Sequence, residues 1–120
     1  LQPQYFIMEN IPSKKQRNIW IQKEFLLEFR MLNVLEDLFN LARARKKNPI
    51  EGSYTNKLLK DKNFSKEKIL EEINELIESV DKNSNKTHEA ADVLYHLIMY
   101  LESNDIKIED VMTELKERKK

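Results

Sequence analysis

The sequence predicts an all-α fold, and three observations support this class. The 120 residues include one Gly, at position 52, and the last of three Pro is at position 49, so the chain beyond lacks the residues that most often interrupt helices. The composition, 40% hydrophobic and 35% charged, is typical of amphipathic helices packed together. No segment alternates for long enough to suggest a strand. We therefore predict an antiparallel bundle of about four to five helices.

Size and charge restrict the classes of function. A chain of this length is one ordinary domain. Basic and acidic residues number 21 each, so there is no overall positive field to hold nucleic acid or an anionic membrane. The absence of Cys excludes disulfides and thiolate metal sites, and the apolar runs are too short for a membrane helix. We expect a cytoplasmic protein without a nucleic-acid or membrane partner.

The first regular helix is predicted to end at Asn48-Pro49. Apolar residues at positions i, i+3, i+4 and i+7 form one face, namely Leu35, Leu38, Phe39 and Ala42. Basic residues crowd the stretch 43–47, where cations offset the helix dipole. The polar stretch 50–63 is predicted to be the principal loop, in which Leu58 and Leu59 can form one helical turn.

Three further helices are predicted after this loop. Ser65 is a candidate N-cap for a helix whose apolar stripe has helical period: Ile69, Leu70, Ile73, Leu76, Ile77 and Val80. The next helix runs from about Thr87 to Ser103, and its almost wholly apolar circumference predicts burial on all sides. A last helix begins near Ile108 and ends in the basic tail 116–120.

Residues 1–30 are interpreted as an N-terminal extension of a domain formed by residues 31–120. They hold two of the three Pro and a hydrophobic mixture with poor periodicity. If a helix extends back through this segment, Trp20 and Phe25 need a partner surface such as another subunit. Vector-derived sequence or a start assigned too early is an equally good interpretation, since Met31 directly precedes the regular helix.

A line of acidic residues is the strongest indication of chemistry. The second regular helix carries glutamates on the side away from its apolar stripe: Glu71, Glu72, Glu75 and Glu78. Alone, such a run is usually a solvated face. On the following helix, however, Glu89, Asp92 and His96 lie within about 60° of one another on an otherwise apolar rod. Buried carboxylates there need cations, protonation or a metal.

A magnesium site follows if these two helices form a hairpin. The apolar helix has no Lys or Arg between Thr87 and Ser103. Four carboxylates would then meet, those of Glu72, Glu75, Glu89 and Asp92, and their repulsion favours a hard divalent cation. Mg²⁺ takes oxygen ligands and is commonly shared with substrate phosphates. His96 is either a hydrogen-bonding partner behind the ligands or an ordinary core histidine.

Basic and hydroxyl side chains around the predicted loop offer the complementary half of a phosphate site. The candidates are Arg45, Lys46, Ser53, Tyr54, Thr55 and Lys57. Gly52 lies among them and, having no Cβ, permits close approach of the backbone to a ligand. An equally good interpretation is that the basic residues only offset the dipole at a helix C-terminus.

Three runs of this sequence, in order and spacing, resemble the phosphoribosyl-ATP pyrophosphohydrolase family. They are residues 45–55, 68–75 and 89–96, and the likeness extends over about 31–118. The two acidic motifs alone would indicate only the broader MazG-like superfamily of all-α nucleotide pyrophosphohydrolases. The Gly-Ser-Tyr-Thr loop narrows the resemblance to the former family.

The resemblance implies a Mg²⁺-dependent homodimer that hydrolyses phosphoribosyl-ATP to phosphoribosyl-AMP and pyrophosphate, the second step of histidine biosynthesis. Glu71, Glu72 and Glu75 match the first acidic motif, and Glu89 and Asp92 match the second. In our hypothesis all of these except Glu71 hold Mg²⁺, while Glu71 and Glu72 are catalytic. Many members have Gly where this chain has Leu, at position 70, which leaves the acidic spacing unchanged.

Two alternatives stay open at this point. One is a MazG-like house-cleaning enzyme that acts on ordinary or damaged nucleoside triphosphates, which a panel of substrates would separate. The other is a non-catalytic helical dimerisation module in which the carboxylates are salt-bridge partners between subunits. Melting with and without Mg²⁺ tests the second, because an ion that binds only the folded state raises the melting temperature.

Overall fold

The structure, a computed structural model, describes the backbone of residues 14–119 and the side chains of residues 31–119. Five helices follow one another: α1 (Lys14–Lys47), α2 (Tyr54–Lys60), α3 (Lys62–Lys82), α4 (Lys86–Ser103) and α5 (Ile108–Arg118). The described part of the chain contains no strand, so the predicted all-α fold is confirmed. The side chains of the predicted extension 1–30, including Trp20 and Phe25, lie outside the described residues.

The chain divides into two compact units, residues 1–37 and residues 38–120. In the second unit, α3 packs most extensively on α4, and α2 packs against both. The buried apolar side chains of this unit come from the end of α1 and from α2, α3 and α4: Ala42, Leu58, Leu59, Ile69, Ile98 and Met99. Among the described helices, none is long and apolar enough to cross a membrane.

The predicted principal loop is mostly helical. The turn expected at Leu58 and Leu59 is part of α2, and both side chains are buried in the core. The hydroxyl of Ser53 accepts a hydrogen bond from the Asn56 backbone N–H (3.3 Å), which makes Ser53 the N-cap of α2. The loop is therefore limited to the residues between Lys47 and Tyr54.

A single residue separates α2 from α3. Asp61 ends α2, and its carboxylate accepts a hydrogen bond from the Phe64 backbone N–H (3.0 Å), so it is the N-cap of α3. The prediction of Ser65 as this cap is wrong, because Ser65 lies inside α3 with a fully buried side chain. Asp61 caps the helix one turn earlier.

The turn between α3 and α4 is a Schellman motif. The backbone N–H of Ser84 donates to the Ser79 carbonyl (3.0 Å), and that of Asn83 donates to the Val80 carbonyl (3.2 Å). Asn83 has φ = 52° and takes the left-handed position that Gly usually occupies, and Asn85, at φ = 55°, is also left-handed. This short connection turns the chain back on itself, so α3 and α4 form the predicted hairpin.

Helix α3 has two edges that differ in exposure. One is buried or half-buried against the rest of the unit and repeats with heptad spacing: Ser65, Ile69, Glu72, Leu76 and Ser79. The other lies roughly 100° around the helix and is 38–56% exposed: Leu70, Ile73, Ile77 and Val80. The expectation that the glutamates point away from the buried face is therefore wrong for Glu72, which lies within that face.

Helix α4 shows the same division. His96, Ile98 and Met99 are buried, whereas Leu94 and Leu97 are 45% and 38% exposed. The prediction that this helix is buried all round is therefore wrong for the described chain. An all-apolar circumference can be covered only when neighbours exist on every side, and within residues 38–119 they cover one face.

Candidate active site

Carboxylates of α3 and α4 converge across the hairpin. Glu72 and Glu75 from α3 and Glu89 from α4 each place an oxygen within 4.8 Å of the other two. Glu72 lies in the buried edge of α3 with only 7% of its surface exposed, and Glu89 is half-buried. The structure thus brings together three of the four predicted metal ligands as one group, which we call the acidic cluster.

Asp92, the fourth predicted ligand, belongs to an adjoining group. One ligand atom from each of His88, Glu89 and Asp92 lies within 4.8 Å of the others, so Glu89 is shared by both groups. The Asp92 carboxylate is 3.4 Å from the His88 imidazole Nε2. Because Glu89 and Asp92 are three residues apart on α4, both side chains lie on the same face of that helix.

The acidic cluster is short of positive charge. Burial raises the pKa of Glu72, and the nearby charge of Glu75 raises it further, while His96 opposes the change. The pKa of Glu89 is raised first by burial and then by Glu75 and Asp92. One oxygen of Glu72 and one of Glu89 are buried without a hydrogen-bond partner among the described residues. Unpaired buried carboxylate oxygens favour a cation or a proton at this position.

A basic residue that the sequence analysis did not single out lies beside the cluster. The Lys68 ammonium is 3.2 Å from a carboxylate oxygen of Glu71 and 4.0 Å from one of Glu72. The hydrogen bond with Glu71 raises the pKa of Lys68. The spacing i, i+3 and i, i+4 on one helix is the sequence signal, weak by itself, that relates Lys68 to Glu71 and Glu72. Glu71 itself is exposed at the edge of the cluster.

His96 links the acidic cluster to the loop end of α2. Its Nδ1 is 2.7 Å from the Asp92 carbonyl oxygen, which can only accept, so Nδ1 carries a proton. Its Nε2 is 2.9 Å from the Tyr54 hydroxyl, and in the neutral imidazole this nitrogen accepts from Tyr54. His96 is buried but fully hydrogen-bonded, and it connects a predicted substrate-binding residue to the backbone of a predicted ligand.

The Gly-Ser-Tyr-Thr loop is held by side chains on both sides. The Arg45 guanidinium donates to the Ser53 hydroxyl (3.0 Å), and the Thr55 hydroxyl is hydrogen-bonded to that of Tyr95 on α4. Gly52 has φ = +81°, a conformation that other residues rarely adopt, and nothing lies within 4 Å of the position its Cβ would take. The structure therefore brings Arg45 and Ser53 together and attaches the start of α2 to α4.

Two predicted substrate-binding lysines have other contacts. Lys46 forms an ion pair with Asp105 and donates to the Glu102 carbonyl (2.8 Å). The Lys57 ammonium lies over the Phe64 ring, 4.1 Å from its centre. Neither lysine forms a salt bridge with the acidic cluster in the described part of the chain. The predicted basic residues therefore do not gather as one group.

Fold and site together define a helical-hairpin protein whose carboxylates suit a hard divalent cation and phosphate chemistry. The model of one family, described as phosphoribosyl-ATP pyrophosphohydrolase, matches residues 35–119. The chain belongs to this family, as the resemblance predicted.

Curated relatives agree with this assignment. The chain is 38% identical over 94 residues to the phosphoribosyl-ATP pyrophosphatase of Clostridium novyi, and this match covers 74% of this chain and 84% of that protein. It is 43% identical over 96 residues to the protein of the same name from Bacillus mycoides, covering 73% and 85%.

The histidine biosynthesis bifunctional protein HisIE of Pyrococcus furiosus is 40% identical over 92 residues, and the match spans 74% of this chain but only 43% of that longer protein. No solved structure matches the chain significantly.

Proposed function

We propose that this chain hydrolyses phosphoribosyl-ATP to phosphoribosyl-AMP and pyrophosphate, and that the acidic cluster is its catalytic centre. The family match and the names of the relatives confirm the predicted activity, hydrolysis of phosphoribosyl-ATP in histidine biosynthesis. The observation that carries the assignment of the site is the convergence of Glu72, Glu75 and Glu89 with buried, unpaired oxygens.

The residues of the cluster fit a Mg²⁺ ion. Their donors are hard carboxylate oxygens, which Mg²⁺ prefers, and repulsion among them falls when a divalent cation lies between. Glu72, Glu75 and Glu89 would hold the ion, with Asp92 as the fourth ligand carried by the adjoining group. When bound, Mg²⁺ polarises phosphoryl oxygens and absorbs the negative charge that develops on them.

The chain's own groups then orient water and substrate. One oxygen of Glu71 bonds to Lys68, and the exposed side chain leaves the other oxygen accessible to water. Glu71 is therefore suited to accept the proton of a water molecule that attacks the bond between the α and β phosphates. Glu72 is the second catalytic carboxylate, which also helps to hold the cation.

The loop supplies the phosphate-binding half of the proposal. Arg45 and Ser53 form a charged and a hydroxyl donor that are already hydrogen-bonded to each other. The Tyr54 hydroxyl is held by His96, which fixes its position relative to Asp92. Thr55 remains a proposed substrate-binding residue, and its hydrogen bond to Tyr95 attaches it to α4. Lys46 and Lys57 would have to leave their present partners to reach a phosphate.

Replacing Glu75 tests the site. Glu75→Gln keeps the size of the side chain but removes a charged oxygen ligand, so pyrophosphate release from phosphoribosyl-ATP should fall at least about a hundredfold. Glu78→Gln is the matched control, since Glu78 lies three residues further along α3 and pairs with Lys82 rather than with the cluster. Turnover of both variants at the wild-type rate would refute the assignment, and a preference for plain nucleoside triphosphates would favour a house-cleaning enzyme.

A homodimer is also part of the proposal. The exposed edge of α3 and the exposed Leu94 and Leu97 of α4 offer apolar side chains at helix-packing spacing. A second copy would remove them from water. Sedimentation at micromolar concentration should give about twice 14.4 kDa, and Ile77→Glu, which places a charge on this edge, should shift the protein toward monomer. A wild-type monomer under these conditions would contradict the dimer.

Two further predictions accompany the assignment. The domain is proposed to comprise residues 31–120, which the family match over residues 35–119 supports, with residues 1–30 as an extension. A cytoplasmic location is proposed because the substrate class is a small, charged metabolite and the chain has no Cys that would indicate an oxidising compartment.

A further inference from the structure

We propose that Lys68 is a substrate-binding residue that donates hydrogen bonds to the phosphate chain of the nucleotide beside the acidic cluster. The inference rests on the proposed function of that cluster and adds a residue to it. It is carried by the position of the Lys68 ammonium beside Glu71 and Glu72, the latter being one of the carboxylates that would hold the cation.

The geometry leaves Lys68 with donors to spare. An ammonium group has three N–H bonds. Within the described residues, the only hydrogen bond of the Lys68 ammonium is to a carboxylate oxygen of Glu71, at 3.2 Å. Its 4.0 Å distance to a carboxylate oxygen of Glu72 is an ion-pair contact. The side chain is 23% exposed, so it is partly shielded from water yet open on one side. Two donors therefore remain for an acceptor that arrives from solution.

Lys68 is also near Tyr54, the first residue of α2. Its charge is close enough to the Tyr54 hydroxyl to oppose the effect of burial, which raises the pKa of that tyrosine. Tyr54 in turn is hydrogen-bonded to His96, next to the cluster. A phosphate group bound between Tyr54 and Glu72 would thus lie near the Lys68 ammonium.

The excess negative charge of the proposed site favours a positive side chain beside the substrate. The predicted acidic residues outnumber the two positive charges of one Mg²⁺, and the substrate brings a further anionic phosphate chain. Among the described residues, Lys68 is the one Lys or Arg that lies within 4.0 Å of Glu71 or Glu72. A lysine is a compact point charge that suits a phosphate in this position.

A simpler role makes an opposite prediction. If Lys68 were only a counter-ion for Glu71 and Glu72, its removal would make the cluster more negative and tighten Mg²⁺ binding, with no effect on substrate once Mg²⁺ is saturating. If Lys68 contacts phosphate, its removal weakens substrate binding even at saturating Mg²⁺. The two roles therefore separate in the KM for substrate measured under those conditions.

The experiment compares Lys68→Gln and Lys68→Arg with wild type in the full chain. At saturating Mg²⁺, Lys68→Gln should raise the KM for phosphoribosyl-ATP on the order of ten- to a hundredfold, because a charge-assisted hydrogen bond is lost. Lys68→Arg should recover most of the loss. Lys66→Gln is the matched control, because Lys66 is an exposed lysine of the same helix without a salt bridge to a described residue. The KM of this variant for phosphoribosyl-ATP should equal that of wild type.

Calorimetric titration with Mg²⁺ and inorganic pyrophosphate provides a second measurement that does not depend on turnover. Lys68→Gln should weaken pyrophosphate binding at saturating Mg²⁺ by a similar factor, and circular dichroism confirms that the variant is folded. An unchanged KM and an unchanged pyrophosphate affinity would overturn the proposal. If wild type fails to hydrolyse phosphoribosyl-ATP, the proposed function fails, but the pyrophosphate titration still decides the role of Lys68.

Discussion

Two groups of carboxylates, one on either side of the middle of α4, lie in opposite electrostatic settings. Near its N-terminal end, burial and neighbouring carboxylates raise the pKa values of Glu72 and Glu89, each of which has a buried oxygen without a partner. Beyond its C-terminal end, Asp105 and Glu109 each bond to a basic residue of α1, and these bonds lower both pKa values. The fold neutralises the second pair itself, whereas the first pair keeps buried oxygens without a partner, and we therefore propose that it binds a cation.

This difference, rather than the shape of the surface, supports the proposed position of the functional site. The ion-paired end lines a cleft of about 550 Å³ that includes Arg43, Lys46, Asp105 and Glu109. These four groups pair with one another, and such exposed pairs contribute little energy. The acidic cluster, in contrast, has buried carboxylate oxygens without a partner among the described residues. A site for an ion is indicated by missing partners rather than by volume.

The largest expected effect follows from replacing Glu72. Glu72→Gln removes a buried charge while keeping the shape of the side chain, so the metal-free melting temperature should rise by a few degrees. Millimolar Mg²⁺ should raise the melting temperature of wild type and leave that of the variant nearly unchanged. Asp105→Asn, at the ion-paired end, is the control and should retain the Mg²⁺ response. A full Mg²⁺ response in Glu72→Gln would remove the distinction between the two ends.

A smaller effect concerns the pH dependence of stability without metal. Because the pKa of Glu72 is raised above 4.5 in the folded chain, its favourable contribution is present below about 4.5 and is lost as the pH rises through the raised value. The stability advantage of Glu72→Gln over wild type should therefore grow between pH 4.5 and pH 8.

Asp105 should show the opposite dependence. Its pKa is lowered from 3.8, so its contribution is present above that value and is lost as the pH falls through the lowered one. Asp105→Asn should cost at most one or two degrees at neutral pH and nothing in strong acid, since the pair is exposed. Melting curves in chelator-containing buffers from pH 3 to pH 8 measure both trends, and parallel trends would contradict the comparison.

The acidic part of the site was predictable because helical periodicity fixes which side chains share a face. Glu89, Asp92 and His96 follow one another at i, i+3 and i+7, and the structure places all three toward the hairpin. The helices after the loop were likewise predictable from apolar spacing and from the lack of Gly and Pro. These properties depend on neighbouring residues in the chain.

Other features depend on contacts between distant parts of the chain. The wholly apolar edge of α3 is the exposed one, and periodicity alone does not say which edge is buried against the rest of the unit, so the burial of Glu72 was missed. The partners of Lys46 and Lys57 come from α4–α5 and from α3, and no local pattern marks them. Lys68 was overlooked although its spacing to Glu71 was visible, because one lysine among many on a charged helix carries little information.

The turn between α3 and α4 determines whether these carboxylates can meet at all. Its two backbone bonds and the left-handed Asn83 set the number of residues between Lys82 and Lys86. One additional residue there would rotate α4 by roughly 100° about its own axis and shift it by about 1.5 Å along it. Each helix would remain intact while Glu89 turned away from α3. In the proposed site, the length of a surface turn without any reactive group therefore matters alongside the acidic side chains.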